Sequence, residues 1–337
     1  MTKKMTDKPG RTTIVDVAKR AGVSPMTVSR VIRKRDKVSA ATREKVEQAI
    51  AALNYSPNLA ARALVGSRVR RVGLLYGNPS SAFLSELLLG ALKAASEAEI
   101  LLIVEQVDGD MAAEKWASRF HTDWDALIVP PPMSDSAALR KLVTEQQLPA
   151  VFLLSADTSG DVDQIGIDDY SAAIDMTAFL ISKGHKRIGF IKGDPSQSVS
   201  NRRLEGFKAA CANAGLPVTR DLIRAGQFTY ESGQNAALKL LSLRERPTAI
   251  FASNDDMAAG AMAAAAQLGF SVPNEIAIAG FDDSPIATIV APSLTTVRQP
   301  VAEMAEAAIR TLLETSPSKA APQKSLADHK LIIRDTV

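Results

Sequence analysis

One cysteine, Cys211, occurs in the 337 residues, so no intrachain disulfide can form. That scarcity fits a reducing compartment. No apolar run approaches the ~18 uncharged residues of a membrane-spanning helix. The stretch from Met1 to Arg11 is polar and lacks the apolar core of a secretory signal, which makes the cytoplasm the expected location. Histidine is scarce too: His121, His185 and His329 show no metal-ligand spacing. Walker A, GxGxxG, HExxH and GxSxG motifs are absent. The acidic doublets Asp255-Asp256 and Asp282-Asp283 superficially suggest a glycosidase pair, but adjacent acids project in different directions. With no nucleophile–base pair to nominate, the expectation is a protein that is not an enzyme and uses no cofactor or metal.

What is present is a soluble globular composition, 46% apolar and 23% charged, on a chain long enough for two or three domains. The net charge of +3 hides a split. Residues 1–71 hold seventeen Lys and Arg against five acids, a net of +12, which leaves −9 for the remainder. A basic head on an acidic body suggests a polyanion-binding head.

The head reads as three helices. Ile14, Val17, Ala18 and Ala21 recur at i, i+3, i+4 and i+7, one buried stripe, which Gly22 ends by offering a positive φ. Ser24 then caps and Pro25 opens a second helix. On it Val28, Val31 and Ile32 share one face, while Met26, Arg30 and Arg33 lie roughly opposite. A third helix runs from Ser39 to near Asn54. Two helices joined by so short a turn suit a DNA major groove. Arg30 can donate a bidentate pair to a guanine edge, and Met26 can only make apolar contact. Pro25 offers no donor, and Thr27, Ser29 and Lys37 suit phosphates. Ser56-Pro57 repeats the cap-plus-proline start, opening a segment up to Gly66 that is too short to be a stable helix alone.

From Arg71 the chain alternates strands and helices. Apolar runs fall at Val72–Tyr76, Ile100–Val104, Ala126–Val129, Ala150–Leu154, Gln164–Ile167, Ile188–Ile191, Leu222–Ala225, Ala249–Ala252 and Ile276–Ala279. This predicts an α/β body of parallel sheets, as two doubly wound lobes in preference to a single (β/α)₈ barrel. A ligand would then sit at strand carboxyl ends, in the cleft between lobes. Ser316–Ser325 reads as a loose connection between lobes. Lys330–Asp335 reads as a closing strand.

Four stretches of the head, Ile14 to Ser24, Thr27-Val28-Ser29-Arg30, Val38-Ser39 through Val46, and Leu53 to Asn58, closely resemble the head of the lactose-repressor (LacI/GalR) family. Gly184-His185-Lys186-Arg187-Ile188, Arg203-Leu204-Glu205-Gly206-Phe207, Ser253-Asn254-Asp255, Gly280-Phe281-Asp282-Asp283 and Leu294-Thr295-Thr296-Val297 are similar to that family's regulatory domain. The resemblance implies a helix-turn-helix DNA-binding domain at 12–56, a hinge helix and linker at 57–67, and a periplasmic-binding-protein-like effector and dimerisation domain at 68–337. Its N-lobe would comprise about 68–158 and 293–322, its C-lobe about 159–292 and 323–337. It also implies that Leu64, with its dimer mate, wedges into the minor groove at the operator centre, as apolar wedges do in kinked DNA. Packing of Leu64 on the body is the alternative. Thr13, Ser24, Asn58 and Ala61 are further DNA-contact candidates.

For the body, Arg203, Asn254 and Asp282 are polar groups near strand ends able to chelate adjacent sugar hydroxyls. Phe83 and Phe228, by similarity, would cover a pyranose face, and Asp168 and Gln299 join them on the same basis. Asp168 and Asn254 read equally well as helix caps, and either phenylalanine as core. The expected protein is a bacterial, nucleoid-associated transcriptional regulator, a repressor acting on a pseudo-palindromic operator and controlled by a small carbohydrate. A purine co-repressor is the alternative. The loop Asp194–Ser200 lacks the basic group expected for a purine oxo group. A binding protein without a DNA role fits the basic head poorly. No heptad tail follows the closing strand, so the expected assembly is a homodimer.

Overall fold

The computed structural model describes residues 12–32, 38–53, 55, 70–107, 124–156, 159–314 and 321–337. The chain divides into two compact units, Met1–Val69 and Arg70–Val337.

The first unit contains α1 (Ile14–Ala21), α2 (Pro25–Ile32) and α3 (Ala40–Ala52). Each start is capped. Thr13 and Asp16 form a capping box, Ser24 Oγ accepts from the Thr27 N–H at 3.1 Å, and Ser39 accepts from the Thr42 N–H. Gly22 ends α1 at φ +65°, a conformation that only glycine adopts freely. Val17, Ala18, Val28, Val31, Val46 and Ala49 form the core where the three helices meet. At about 1.5–3 kcal/mol for each fully buried larger side chain, this core is small and every member matters.

Along the second unit run β1 (Arg71–Tyr76), α4 (Ser81–Glu97), β2 (Leu101–Gln106), β3 (Ala126–Val129), α5 (Ala137–Glu145), β4 (Ala150–Leu153) and β5 (Asp163–Gly166). Then come α6 (Asp169–Ser182), β6 (Ile188–Lys192), α7 (Ser198–Asn213), β7 (Ile223–Ala225), α8 (Tyr230–Leu241), β8 (Ala249–Ala252), α9 (Asp255–Gln267) and β9 (Ala277–Ala279). The chain closes with α10 (Ile286–Ile289), β10 (Thr296–Arg298), α11 (Val301–Glu314), β11 (Lys324–Leu326) and β12 (Lys330–Ile332). All nine apolar runs are strands, with ends displaced by at most two residues. They form no barrel. One open sheet has the order β11-β5-β4-β3-β1-β2 and a second β7-β6-β8-β9, every neighbouring pair parallel. β10 and β12 pair antiparallel, and Thr295 bridges to Ala279 of the second sheet.

The lobe composition differs from the sequence expectation in three places. β5 belongs to the first sheet through its pairing with β4, so the first crossing follows Gly166 rather than residue 158. Residues 295–298 belong with the second sheet, so the second crossing lies between β10 and α11. An apolar run of four residues has the same pattern in either sheet, and only pairing assigns it. The stretch read as a loose connection runs into β11, an exposed polar strand paired to β5 (Lys324↔Gln164, Leu326↔Gly166), so β11 belongs to the first lobe and the third crossing follows Leu326 rather than residue 322. This strand has no apolar period to announce it, because backbone bonds alone hold it at the edge.

Both sheets reverse strand order beside their first strand, at β1/β3 and at β6/β8. The carboxyl ends flanking such a switch point are where open parallel sheets bind ligands. Here two of them face one cleft.

Candidate functional site

Strand ends of both lobes deliver side chains to a small cavity between them. From the first lobe come Asn78 and Ser80 after β1, Phe83 on α4, Pro131 after β3, Leu154 after β4, and Gln299 before α11. From the second come Gln197 and Val199 after β6, Arg203 on α7, Phe228 after β7, Asn254 after β8 and Asp282 after β9. The free space amounts to about 20 Å³, room for about one water molecule.

Arg203 is buried and held from several directions. Its Nε donates to Asp169 Oδ1 at 2.7 Å and Nη1 to the Ser253 carbonyl at 2.6 Å. Its guanidinium lies 3.6 Å from the centre of the Phe281 ring. Nη1 stands 3.8 Å from Asp282 Oδ1, which accepts from Gln299 Nε2 at 2.6 Å. Burial pushes the Asp282 carboxyl well above the usual carboxylate range. Arg203 opposes that rise, and Asp255 and Asp256 add to it. Asp282 also sits at φ +122°, a backbone region costly to residues with a Cβ. Burial likewise raises Asp169 in spite of Arg203.

Asn254 does two things at once. Its Oδ1 caps α9 through the Met257 N–H at 3.0 Å, and its Nδ2 donates to the Phe228 carbonyl at 3.1 Å. Phe228 is at φ +59°, and the tip of its ring lies against Gly193, where a Cβ would approach Cζ to 2.1 Å.

Two buried groups in the wall, Gln197 Nε2 and Gln299 Oε1, have no hydrogen-bond partner. Each costs about 1–3 kcal/mol when left unpaired. One is a donor and one an acceptor, a combination that hydroxyl groups satisfy. Outside the cavity the lobes touch through polar contacts. Ser80 Oγ donates to Asp256 at 2.8 Å, and the Ser198 N–H and Oγ both donate to Asp135 at 2.8 Å.

Of the expected pocket residues, Phe83, Arg203, Phe228, Asn254, Asp282 and Gln299 come together in this wall. Asp168 does not. It caps α6, accepting from the Ser171 N–H at 3.2 Å and the Ser171 hydroxyl at 2.7 Å, and borders a neighbouring cavity instead. Its sequence partner Asp169 is the one that holds Arg203. In a doublet at a helix start, the backbone direction decides which acid points inward, and no local pattern reveals it. Asn78, Ser80 and Gln197 were not anticipated. Their signal was position, since each follows a strand that flanks a switch point.

In the first unit the α2 face opposite the core is open. Pro25, Met26 and Arg30 are exposed, Met26 by 58%, while Val28 and Val31 are buried. Thr27 and Ser29 are half-buried. Thr13 and Ser24 are exposed at the helix starts, where both hydroxyls are engaged in caps. Lys37, Asn58, Ala61 and Leu64, the expected hinge helix, and Arg33 all lie outside the described residues. Among the described residues no group of His, Cys, Asp and Glu could hold a metal ion, and no helix is long and apolar enough to cross a membrane.

Residues 13–58 match the model of bacterial regulatory proteins of the lacI family, and residues 177–337 that of a periplasmic binding protein-like domain. The HTH-type transcriptional regulator DegA of Bacillus subtilis (strain 168) is 36% identical over 329 residues, covering 96% of this chain and 97% of its own. Among solved structures, the lac repressor dimer bound to operator and the anti-inducer ONPF aligns with a TM-score of 0.80 at 28% identity. It covers 97% of this chain and 99% of that one. The transcriptional regulator CelR in complex with cellobiose aligns with a TM-score of 0.74 at 28% identity, covering 97% and 100%. With a three-helix head that exposes Met26 and Arg30 on α2 and a two-lobed body that closes on a polar cleft, this chain belongs to the lacI family of bacterial regulatory proteins.

Proposed function

We propose that the protein is a repressor whose operator affinity is set by a small carbohydrate held between the lobes, without turnover. The observation that carries the sugar is the pair of unpartnered amide groups, Gln197 Nε2 and Gln299 Oε1, beside Arg203 and Asp282. Vicinal hydroxyls offer donors and acceptors together, and Phe83 and Phe228 supply the flat apolar cover that a pyranose C–H face needs. The cellobiose bound by CelR supports the same ligand class. A free space of about 20 Å³ admits no sugar ring, so entry requires the lobes to part and the Ser80–Asp256 and Ser198–Asp135 bonds to break. The effector therefore acts by differential affinity for two lobe arrangements.

The head reads a major groove through Arg30 and Met26. The lac repressor dimer on its operator supports a two-fold arrangement of two heads on a pseudo-palindromic site. An apolar surface supports the dimer as well. Leu89 and Leu92 on α4, and Leu101 and Val104 on edge strand β2, are all exposed. In this reading, movement of the first lobes changes the spacing of the 57–67 segments and so orders or melts the hinge.

A thermal-shift screen of sugars, run on the wild type and on Asp282→Asn, tests the sugar. The variant keeps a side-chain oxygen for Gln299 while removing the ionisable carboxyl. A sugar that binds the folded state raises the melting temperature of the wild type, and raises that of the variant less. Stabilisation by a purine base and by no sugar would replace the effector in this reading.

A further inference from the structure

Leu154 and Val199 line both the inner cavity and a second, neighbouring cavity of about 340 Å³. That volume lies within the roughly 300–1,000 Å³ of ligand pockets, whereas the inner space does not. Its walls come from both lobes. Ser155, Gln164 and Leu326 belong to the first, and Asp168, Ser198 and Arg202 to the second.

Gln164 is only 4% exposed, yet its Oε1 has no hydrogen-bond partner. Burial pushes the Asp168 carboxyl up, but the two Ser171 hydrogen bonds and the nearby Arg202 outweigh it and hold the carboxyl below the usual range. Asp168 is therefore an ionised acceptor at neutral pH. Arg202 stands 3.8 Å away with half of its side chain exposed. An orphaned acceptor, a carboxylate, a guanidinium and serine hydroxyls beside an aliphatic wall are what ring hydroxyls and a ring C–H face require.

We propose that the effector is longer than one ring, a disaccharide or longer oligosaccharide. Its terminal ring lies under Arg203 and Asp282, and its second ring fills the outer cavity against Asp168, Arg202 and Gln164. The proposal rests on the sugar reading and adds chain length to it. It also gives Asp168 a ligand role on a ring that the inner cavity does not hold.

Calorimetric titration of the full-length protein with matched pairs tests it: glucose against cellobiose and maltose, and galactose against lactose. The expected result is that a disaccharide binds at least tenfold more tightly than its own monosaccharide. Arg202→Ala and Asp168→Asn should bring that disaccharide down toward the monosaccharide and leave the monosaccharide unchanged. Asparagine caps a helix as well as aspartate does, so the second variant keeps α6. Equal affinities within the pairs, or variants that weaken both members equally, overturn the second ring. Binding of hypoxanthine or guanine with no sugar binding, or no binding by any of them, overturns the sugar reading beneath it.

Discussion

Arg203 is where residue chemistry is most concentrated, because one side chain neutralises a buried acid, ties down the β8 end and faces the cavity. Arg203→Ala would leave Asp169 buried without its cation. Breaking a buried pair from one side costs about 3–5 kcal/mol. Urea unfolding should show a loss of that size, and a loss under 1 kcal/mol would mean that water reaches Asp169. Asp255 makes a second prediction. Burial pushes its carboxyl up to about 7, against the pull of Thr296 and Ser284. The folded protein therefore holds a proton there that the unfolded chain releases near pH 4. This contribution is fully present below the unfolded value and is lost as pH rises from about 4 to 7. The stability of the wild type relative to Asp255→Asn should accordingly fall from pH 4.5 to pH 7.5. A wild type that gains stability relative to the variant over that range would show Asp255 to be held ionised.

At the scale of elements, α2 separates its two tasks cleanly. Val28 and Val31 anchor it, and Met26 and Arg30 are exposed, free for the proposed groove contact. Arg30→Ala should cost about 1–3 kcal/mol at a cognate operator and relax preference at one guanine position, read by titrating operator variants at fixed salt. A loss equal at all sequences would make Arg30 a phosphate contact instead. Ser24→Ala should cost about 1 kcal/mol of head stability through the lost cap, measurable by thermal unfolding. The strands and helices were legible because apolar runs and caps are local signals. β11 was not, since a polar edge strand exists only by pairing with β5. The sheet membership of β5 was equally hidden until its partner β4 was known.

For the whole molecule, the proposed dimer and the coupled hinge are open to measurement. Replacing Leu89 and Leu92 together by glutamate should yield a monomer by light scattering, since like charges would face each other across a surface that is apolar in the wild type. An unchanged dimer would place the interface elsewhere. A fragment ending near Tyr55 should bind operator far more weakly than the whole protein, because it lacks both the partner head and the 57–67 segment. Equal affinity would count against coupling between hinge and body.

The sequence by itself determined the parts. Helix periodicity and capping specify the head, strand–helix alternation requires parallel sheets, and the basic head and motif spacing point to the family. These are all short-range signals written in neighbouring residues. Only the tertiary structure decided which of two adjacent acids, Asp168 or Asp169, turns inward to Arg203 and which caps α6. It alone brought Asn78, Ser80 and Gln197 to the wall from strand ends up to 119 residues apart. It alone left Gln197 Nε2 and Gln299 Oε1 unpartnered there. The physical reason is that a hydrogen bond is satisfied or orphaned in space, and spacing along the chain does not record which groups a closed cleft leaves facing each other.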